Sequence, residues 1–357
     1  MTLESLGWND QFAAHFQVLA PDGLLAARVA LQHKHAYHLL AGAFEFEGIC
    51  TGRLLHETAD RSQLPVVGDW VAVQPRPGET VADIHAVLPR QTAFVRLAAG
   101  PRPEAQVLAA NIDTVFLVMA LDGNFNLRRL ERLLAATWES GATPVVVLNK
   151  LDLCDDPGGS REKVSRHALG ADVLLISALH ETGCADLAAH LAPGRTVAVL
   201  GSSGVGKSTL VNRLLGEERQ LTGARRDDNS LGRHVTVGRS LMPLPGGALI
   251  VDTPGLREVG LWDAAEGIDE TFADIAALAG ACRFGDCTHN SEPGCAVRAA
   301  IECGELEPDR FAAWLKLARE RAWQERRENK HSAAAVKRTT KIRTMAMCRR
   351  VRMLEED

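Results

Sequence analysis

Gly201-Ser202-Ser203-Gly204-Val205-Gly206-Lys207-Ser208-Thr209 satisfies the pattern G-x-x-x-x-G-K-[ST] in full, a loop able to cradle phosphate. Glycines let backbone N–H groups converge on phosphate oxygens, and a helix starting at the lysine adds a favourable dipole. Lys207 would sit against β- and γ-phosphates, and Ser208 would offer its hydroxyl to Mg²⁺. Forty-four residues after Ser208, the apolar run 248–251 ends in Asp252-Thr253-Pro254-Gly255. An aspartate at a strand end can hold Mg²⁺ through water, and the N–H of Gly255 can meet a γ-phosphate. The rival readings are an empty glycine-rich turn and a plain DTPG turn. The Lys-Ser pair and the flanking apolar runs argue against both.

A phosphate loop does not choose its base. That choice falls to Asn149-Lys150-Leu151-Asp152, directly after the apolar run 145–148. A carboxylate at Asp152 can accept hydrogen bonds from guanine N1–H and the 2-amino group. Adenine offers neither donor and would leave a buried carboxylate unpaired, which is costly. Asn149 can brace the loop and reach N7, while the stem of Lys150 can cover the base. Ser177-Ala178-Leu179, at the end of the run 173–176, matches a loop whose backbone N–H meets guanine O6. A metabolic P-loop kinase, the rival enzyme, has no use for a guanine-reading Asp152.

Between Thr222 and Asp252 the sole threonine is Thr236, the default candidate for a switch residue that closes on Mg²⁺ and γ-phosphate. A threonine in a solvated loop is its rival reading. Leu256 follows the DTPG run, where Ras-like enzymes carry glutamine, and a leucine cannot orient a water. Either His234 or a group supplied by a partner must do so, and intrinsic hydrolysis should be slow. A solvent-facing His234 with no role is the alternative.

A second constellation is Cys282-x₄-Cys287-x-His289-x₅-Cys295, three thiols and an imidazole within fourteen residues. Such a Cys₃His set suits a closed, tetrahedral, structural Zn²⁺ site with no position left for catalytic water. Asp286 and Glu292 are harder donors and are not needed. Small buried cysteines with a satisfied histidine are the bland reading. Cys50, Cys154, Cys184, Cys303 and Cys348 have no such company.

The phosphate and base loops need strand ends to hold them. Strand-length apolar runs at 115–120, 145–148, 173–176 and 197–200 alternate with helical patterns at 127–138, 161–168 and 184–190. This predicts a mostly parallel sheet covered on both faces. Upstream, short β-type runs at 37–40, 48–55, 69–74, 82–88 and 93–97 predict a small five-stranded OB-type barrel. The expected organisation is multidomain α/β. A lead-in covers 1–36, an OB-fold barrel 37–99, and a permuted GTPase 100–268 opened by the linker Gly100-Pro101-Arg102-Pro103. A helical zinc-binding domain with a basic tail covers 269–357, where Phe311, Trp314, Leu315, Ala318 and Ala322 form a helical stripe.

Composition bounds the rest. A chain of 357 residues, 46% hydrophobic and 24% charged, excludes wholesale disorder and suggests two or three domains. Its apolar runs fall short of the ~20 residues a membrane span needs. The opening MTLESLGWND lacks a signal-peptide pattern, so a cytoplasmic protein with reduced thiols is expected. From Arg310 to Asp357 fourteen Lys and Arg face six Asp and Glu, a balance of +8 that leaves −13 on the remainder. A basic end on an acidic body points to RNA, with a solvated helix face as the bland alternative.

The base-reading residues at 149 and 177 precede the phosphate residues at 201 and 252, the reverse of ordinary GTPases. A sheet can be cut and rejoined where its termini lie close, so the order is compatible with function. With these permuted motifs and the stretch CRFGDCTHNSEPGCAVRAAI at 282–301, the chain resembles the ribosome small subunit-dependent GTPase A family over nearly its whole length. The resemblance implies an OB domain, a circularly permuted GTPase and a zinc domain. It also implies binding to the 30S subunit and its 16S rRNA, late maturation of that subunit, and hydrolysis stimulated by it. One Zn²⁺, Mg²⁺ with GTP, a monomeric chain and no membrane partner complete the expectation. Family members usually show His-Thr-Thr-Thr where this chain has His234-Val235-Thr236-Val237, and their histidine is suggested to orient water. A GTP-binding RNA-associated protein with little turnover, or a GTPase acting on another RNA, are the alternatives.

Overall fold

The computed structural model describes residues 1–19, 23–33, 36–58, 61–97, 105–122, 125–216, 240–252 and 265–322. They fall into two compact units divided between Ala281 and Cys282.

In the first unit, helix α1 (Asp10–Leu19) is followed by strands β1 (Leu25–Gln32), β2 (Tyr37–Ala41) and β3 (Phe44–Cys50). Then come helix α2 (Gly52–Glu57) and strands β4 (Trp70–Pro75) and β5 (Val81–Val87). The strands pair in the order β1-β2-β3-β5-β4, and β4 returns to β1, so the ring closes. The β3–β5 pair is parallel and the other pairs are antiparallel. This is the five-stranded OB-type barrel, filled by Ala27, Val29, Leu39, Val71, Val73 and Ile84.

The strand assignments within it need correcting. Residues 25–32 belong to the barrel although they lie in the expected lead-in 1–36. Strand β1 carries no polar alternation because it contacts β2, β4 and a strand of the second sheet half, so most of it is buried. The one charge that breaks its apolar run, Arg28, is itself buried and donates to the carbonyls of Leu6, Gly68 and Asn111. Desolvation pulls its pKa down to about 10. The run 48–55 ends as a strand at Cys50, because the Thr51 hydroxyl accepts from the Leu54 N–H and starts α2. The run 93–97 is a strand, β6 (Ala93–Leu97), but it pairs with β7 (Ala105–Ala110) in a separate two-stranded sheet. A barrel already closed by β1 and β4 has no edge left to receive it.

Beyond β7 come β8 (Thr114–Ala120), α3 (Leu127–Glu139), β9 (Thr143–Asn149), α4 (Pro157–His167), β10 (Asp172–Leu175) and a 3₁₀ turn (Cys184–His190). They are followed by β11 (Thr196–Leu200), α5 (Lys207–Leu215), β12 (Ser240–Pro243) and β13 (Leu249–Asp252). The order β10-β9-β8-β11-β13 is parallel throughout, and antiparallel β12 links β13 to barrel strand β1 at Ser240 and Leu31. Alternate residues of β8 serve opposite faces. Val115, Leu117 and Met119 pack with Leu130, Leu134 and Val164 of α3 and α4. Phe116, Val118 and Ala120 pack with Leu210, Val211 and Leu215 of α5. Successive strands β8, β9 and β10 run outward in one direction, while β11 and β13 lie on the other side of β8. The crevice between β8 and β11 is thus a topological switch point, where parallel sheets place ligands.

Helices α6 (Ala265–Thr271) and α7 (Ala273–Gly280) also belong to this unit. The Gly267 N–H donates to the Glu139 carboxylate at the end of α3, and the compact unit runs on to Ala281. The second unit contains α8 (Ala296–Glu302) and α9 (308–322). The linker 100–103, the basic tail from 323 onward, and the candidates His234, Thr236 and Gly255 lie outside the described residues. Among the described residues no helix is long and apolar enough to cross a membrane.

Candidate nucleotide site and metal centre

Five parallel strands end at one edge, and the loops leaving them carry the predicted residues. Strand β11 ends in Gly201 and α5 begins at Lys207. A Cβ on Gly201 would meet the Val118 carbonyl oxygen at 2.3 Å, and one on Gly206 would meet Asn149 Nδ2 at 2.2 Å. Both positions also have positive φ, so glycine is required there by space as well as by conformation. Lys207 is buried and its Nζ donates to the Ser202 carbonyl at 2.5 Å, folding the side chain along the loop it belongs to. Asp252 closes β13. Because Ala198 pairs with Val251, the register brings Asp252 level with the top of β11.

The base loops join the phosphate loop through one side chain. Asn149, buried at the end of β9, donates from Nδ2 to the Val205 carbonyl at 2.8 Å. Its Oδ1 accepts from the Ala178 N–H at 2.9 Å. One amide thus ties together three loops that lie 56 and 29 positions away in the chain. It acts as the brace expected of it. The Ser177 N–H is engaged with the Thr182 carbonyl. A backbone contact to guanine O6 therefore has to take the Ala178 N–H from Asn149 or use the next residue, Leu179.

Asp152 sits in a 3₁₀ turn after β9 and stays partly exposed, with Oδ1 accepting from the Ser177 hydroxyl. That hydrogen bond holds its carboxyl below the usual carboxylate range. The imidazole Nε2 of His180 stands 4.0 Å from the other oxygen, Oδ2. Lys150 has left-handed backbone, φ 64°, and its Nζ meets the Asp122 carboxylate at 2.7 Å. Asp122 lies two residues past the end of β8 and was not singled out in the sequence. The only signal there is an acidic residue just past an apolar strand.

In the second unit the four expected donors converge, with every ligand atom within 4.8 Å of the others. Cys282 Sγ lies 3.5 Å from His289 Nδ1 and 3.9 Å from Cys295 Sγ, and Cys295 Sγ lies 3.5 Å from the same nitrogen. Donors placed tetrahedrally around one zinc are about 3.8 Å apart for two sulfurs and about 3.5 Å for sulfur and nitrogen. The cluster thus matches a tetrahedral Cys₃His set. Burial opposes ionisation of Cys282, but the Val297 and Ala296 N–H groups at the start of α8, together with the Cys287 and Cys295 thiols, outweigh it and favour the thiolate. Burial and the neighbouring sulfurs push Cys287 up to about 11, a crowding a bound dication relieves. Glu292 is not a donor to this cluster. Its oxygens accept from the N–H groups of Thr288, Asn290 and Ser291 and from the Thr288 hydroxyl. These bonds, led by the Thr288 hydroxyl, lower its pKa to about 2. His289 packs edge-on against Phe311 and Trp314, so the stripe of α9 covers the metal loop.

A parallel sheet with phosphate and base loops at one edge, the base loops coming first in the chain, defines a circularly permuted P-loop GTPase. Residues 87–262 match the RsgA GTPase family. The small ribosomal subunit biogenesis GTPase RsgA of Opitutus terrae is 56% identical over 336 residues, covering 92% of this chain and 92% of that protein. The protein of the same name from Streptomyces coelicolor is 44% identical over 89% of this chain and 86% of its own. The crystal structure of YjeQ from Thermotoga maritima superposes with a TM-score of 0.62 at 23% identity, covering 84% of this chain and 99% of that one, which supports the fold. The chain belongs to the RsgA GTPase family.

Proposed function

We propose that the chain binds and hydrolyses GTP as a biogenesis factor of the small ribosomal subunit, acting on the 30S particle and its 16S rRNA. The observation that carries this reading is the Asn149 bridge between the Val205 carbonyl and the Ala178 N–H. It fixes the base-reading loops against the phosphate loop, the arrangement a nucleotide held at both ends requires. The relatives named above supply the ribosomal half of the reading.

In this reading Asp152 accepts from the guanine edge, Lys150 covers the base, and Asn149, Ser177 and Ala178 frame it. The loop from Gly201 to Thr209 holds the phosphates, with Lys207 leaving the Ser202 carbonyl for the β- and γ-oxygens. Ser208 and Asp252, oxygen donors at the same sheet edge, would hold Mg²⁺, which neutralises charge on the β- and γ-phosphates when bound. Thr236 would add its hydroxyl to that set and Gly255 its N–H to the γ-phosphate, while His234 or a group supplied by the partner would orient the attacking water. Cys282, Cys287, His289 and Cys295 would hold one structural Zn²⁺. The barrel, the permuted GTPase and the zinc module work as three modules, with the basic C-terminal residues directed to rRNA.

The test is GTP hydrolysis by the purified chain alone, with 30S subunits, and with 50S subunits. Stimulation by 30S alone is expected. Equal rates in all three would detach the enzyme from the small subunit.

A further inference from the structure

We propose that Asp122 is a positioning residue for the base. It acts through Lys150 by pinning that side chain along the end of β8, so that its apolar stem forms the floor on which guanine lies. This deepens the guanine reading of Asn149–Asp152 and rests on it.

The observations are local and independent of any bound molecule. Strand pairing aligns Ala120 with Asn149, and the Leu121 N–H donates to the Asn149 carbonyl at 2.8 Å. The loops after β8 and β9 are thus fastened at the backbone. Lys150 then takes a left-handed conformation, φ 64°, which non-glycine residues adopt only where their surroundings enforce it. Its Nζ reaches back to the Asp122 carboxylate at 2.7 Å, with both side chains nearly three-tenths exposed. The pair bridges the ends of β9 and β8, and β8 is the strand beside phosphate-bearing β11. A free lysine stem samples many rotamers, and a stem tied at its far end does not. The value of the tie is preorganisation of an apolar surface at the base site. The Asp122 carbonyl itself accepts from the Phe125 N–H at 3.1 Å.

The test uses the full chain and reads GDP affinity by calorimetry, alongside KM and kcat for GTP. Asp122→Ala and the isosteric Asp122→Asn are each expected to weaken GDP about tenfold, with the loss falling on KM, and Asp122→Glu to restore most of it. In a Lys150→Ala background Asp122→Ala should add nothing, because the two residues act as one unit. Inhibition by inorganic tripolyphosphate, which uses the phosphate loop but has no base, should be the same in Asp122→Ala as in the parent chain. Unchanged GDP affinity in folded Asp122→Ala, or losses that add in the double variant, would overturn the proposal. Asp152→Asn separates the two levels. A shift of preference from GDP to xanthosine diphosphate upholds the guanine reading whatever Asp122 does. An unshifted preference removes that reading, and this proposal with it.

Discussion

The nucleotide edge gathers its side chains from strand ends between Asp122 and Asp252, whereas the metal knot draws four donors from Cys282 to Cys295. The first is built by a sheet. Its geometry exists because β8, β9, β10, β11 and β13 end together, and Asn149 then ties the loops. The second has almost no regular structure among its ligands. Glu292 clasps the Thr288–Ser291 turn, and the start of α8 points N–H groups at Cys282. A dispersed site is therefore as stable as its sheet, while a local one is as stable as its ion. The permuted chain order costs the first site nothing, since strand ends do not record the order in which the chain visits them.

The largest effect expected from this contrast is metal removal. Stripping the protein with a strong zinc chelator should abolish hydrogen-exchange protection across 282–322, because binding free energy at such sites is folding free energy. GDP affinity should move by less than about twofold, because every described nucleotide-site residue belongs to the first compact unit and the four donors to the second. A parallel collapse of GDP binding would break the comparison and make the knot a part of the nucleotide site. The next effect falls on the other side. Asn149→Ala leaves the buried Val205 carbonyl and Ala178 N–H without their partner, a cost of about 2–4 kcal/mol. GDP affinity should fall roughly a hundredfold, while bound zinc, counted by atomic absorption, stays at one per chain. Retained GDP affinity would mean that the sheet alone suffices to bring the loops together.

The two regions also differ in how openly the sequence speaks of them. The convergence of the knot's four donors was legible because their close spacing confines them to one short loop. The phosphate and base loops were legible as motifs, since each is short and follows an apolar strand. What joins them was not. Asp122 carries no motif, and its partnership with Lys150 depends on the parallel register of β8 and β9. The barrel was read with the right number of strands but one wrong member. Arg28 interrupts the apolar pattern of β1, and only the three carbonyls that satisfy it explain why a charge belongs there. Periodicity found β6 correctly as a strand but could not tell which sheet it joins, because closure of the barrel by β1 and β4 is a long-range fact.

The smallest effect sharpens the electrostatics of the base loop. The Ser177 hydroxyl donates to Asp152 and lowers its pKa from the ordinary aspartate value of 3.8. With a folded value below the unfolded one, the contribution of this carboxylate is complete above pH 3.8 and lost only as pH falls through the lowered value. Replacing the hydroxyl, as in Ser177→Ala, removes the leading cause of that depression, so protonation of Asp152 begins at higher pH. GDP affinity near neutral pH should change little, since the carboxylate is ionised there in both proteins. The acid limb of a GDP affinity-against-pH curve should move upward in the variant. The Asp152→Asn protein should lose that limb altogether, because no group at that position titrates. A limb that stays in place in Ser177→Ala would assign the acid sensitivity of guanine binding to a group other than Asp152. His180 could then be tested directly, since it stands 4.0 Å from the same carboxylate.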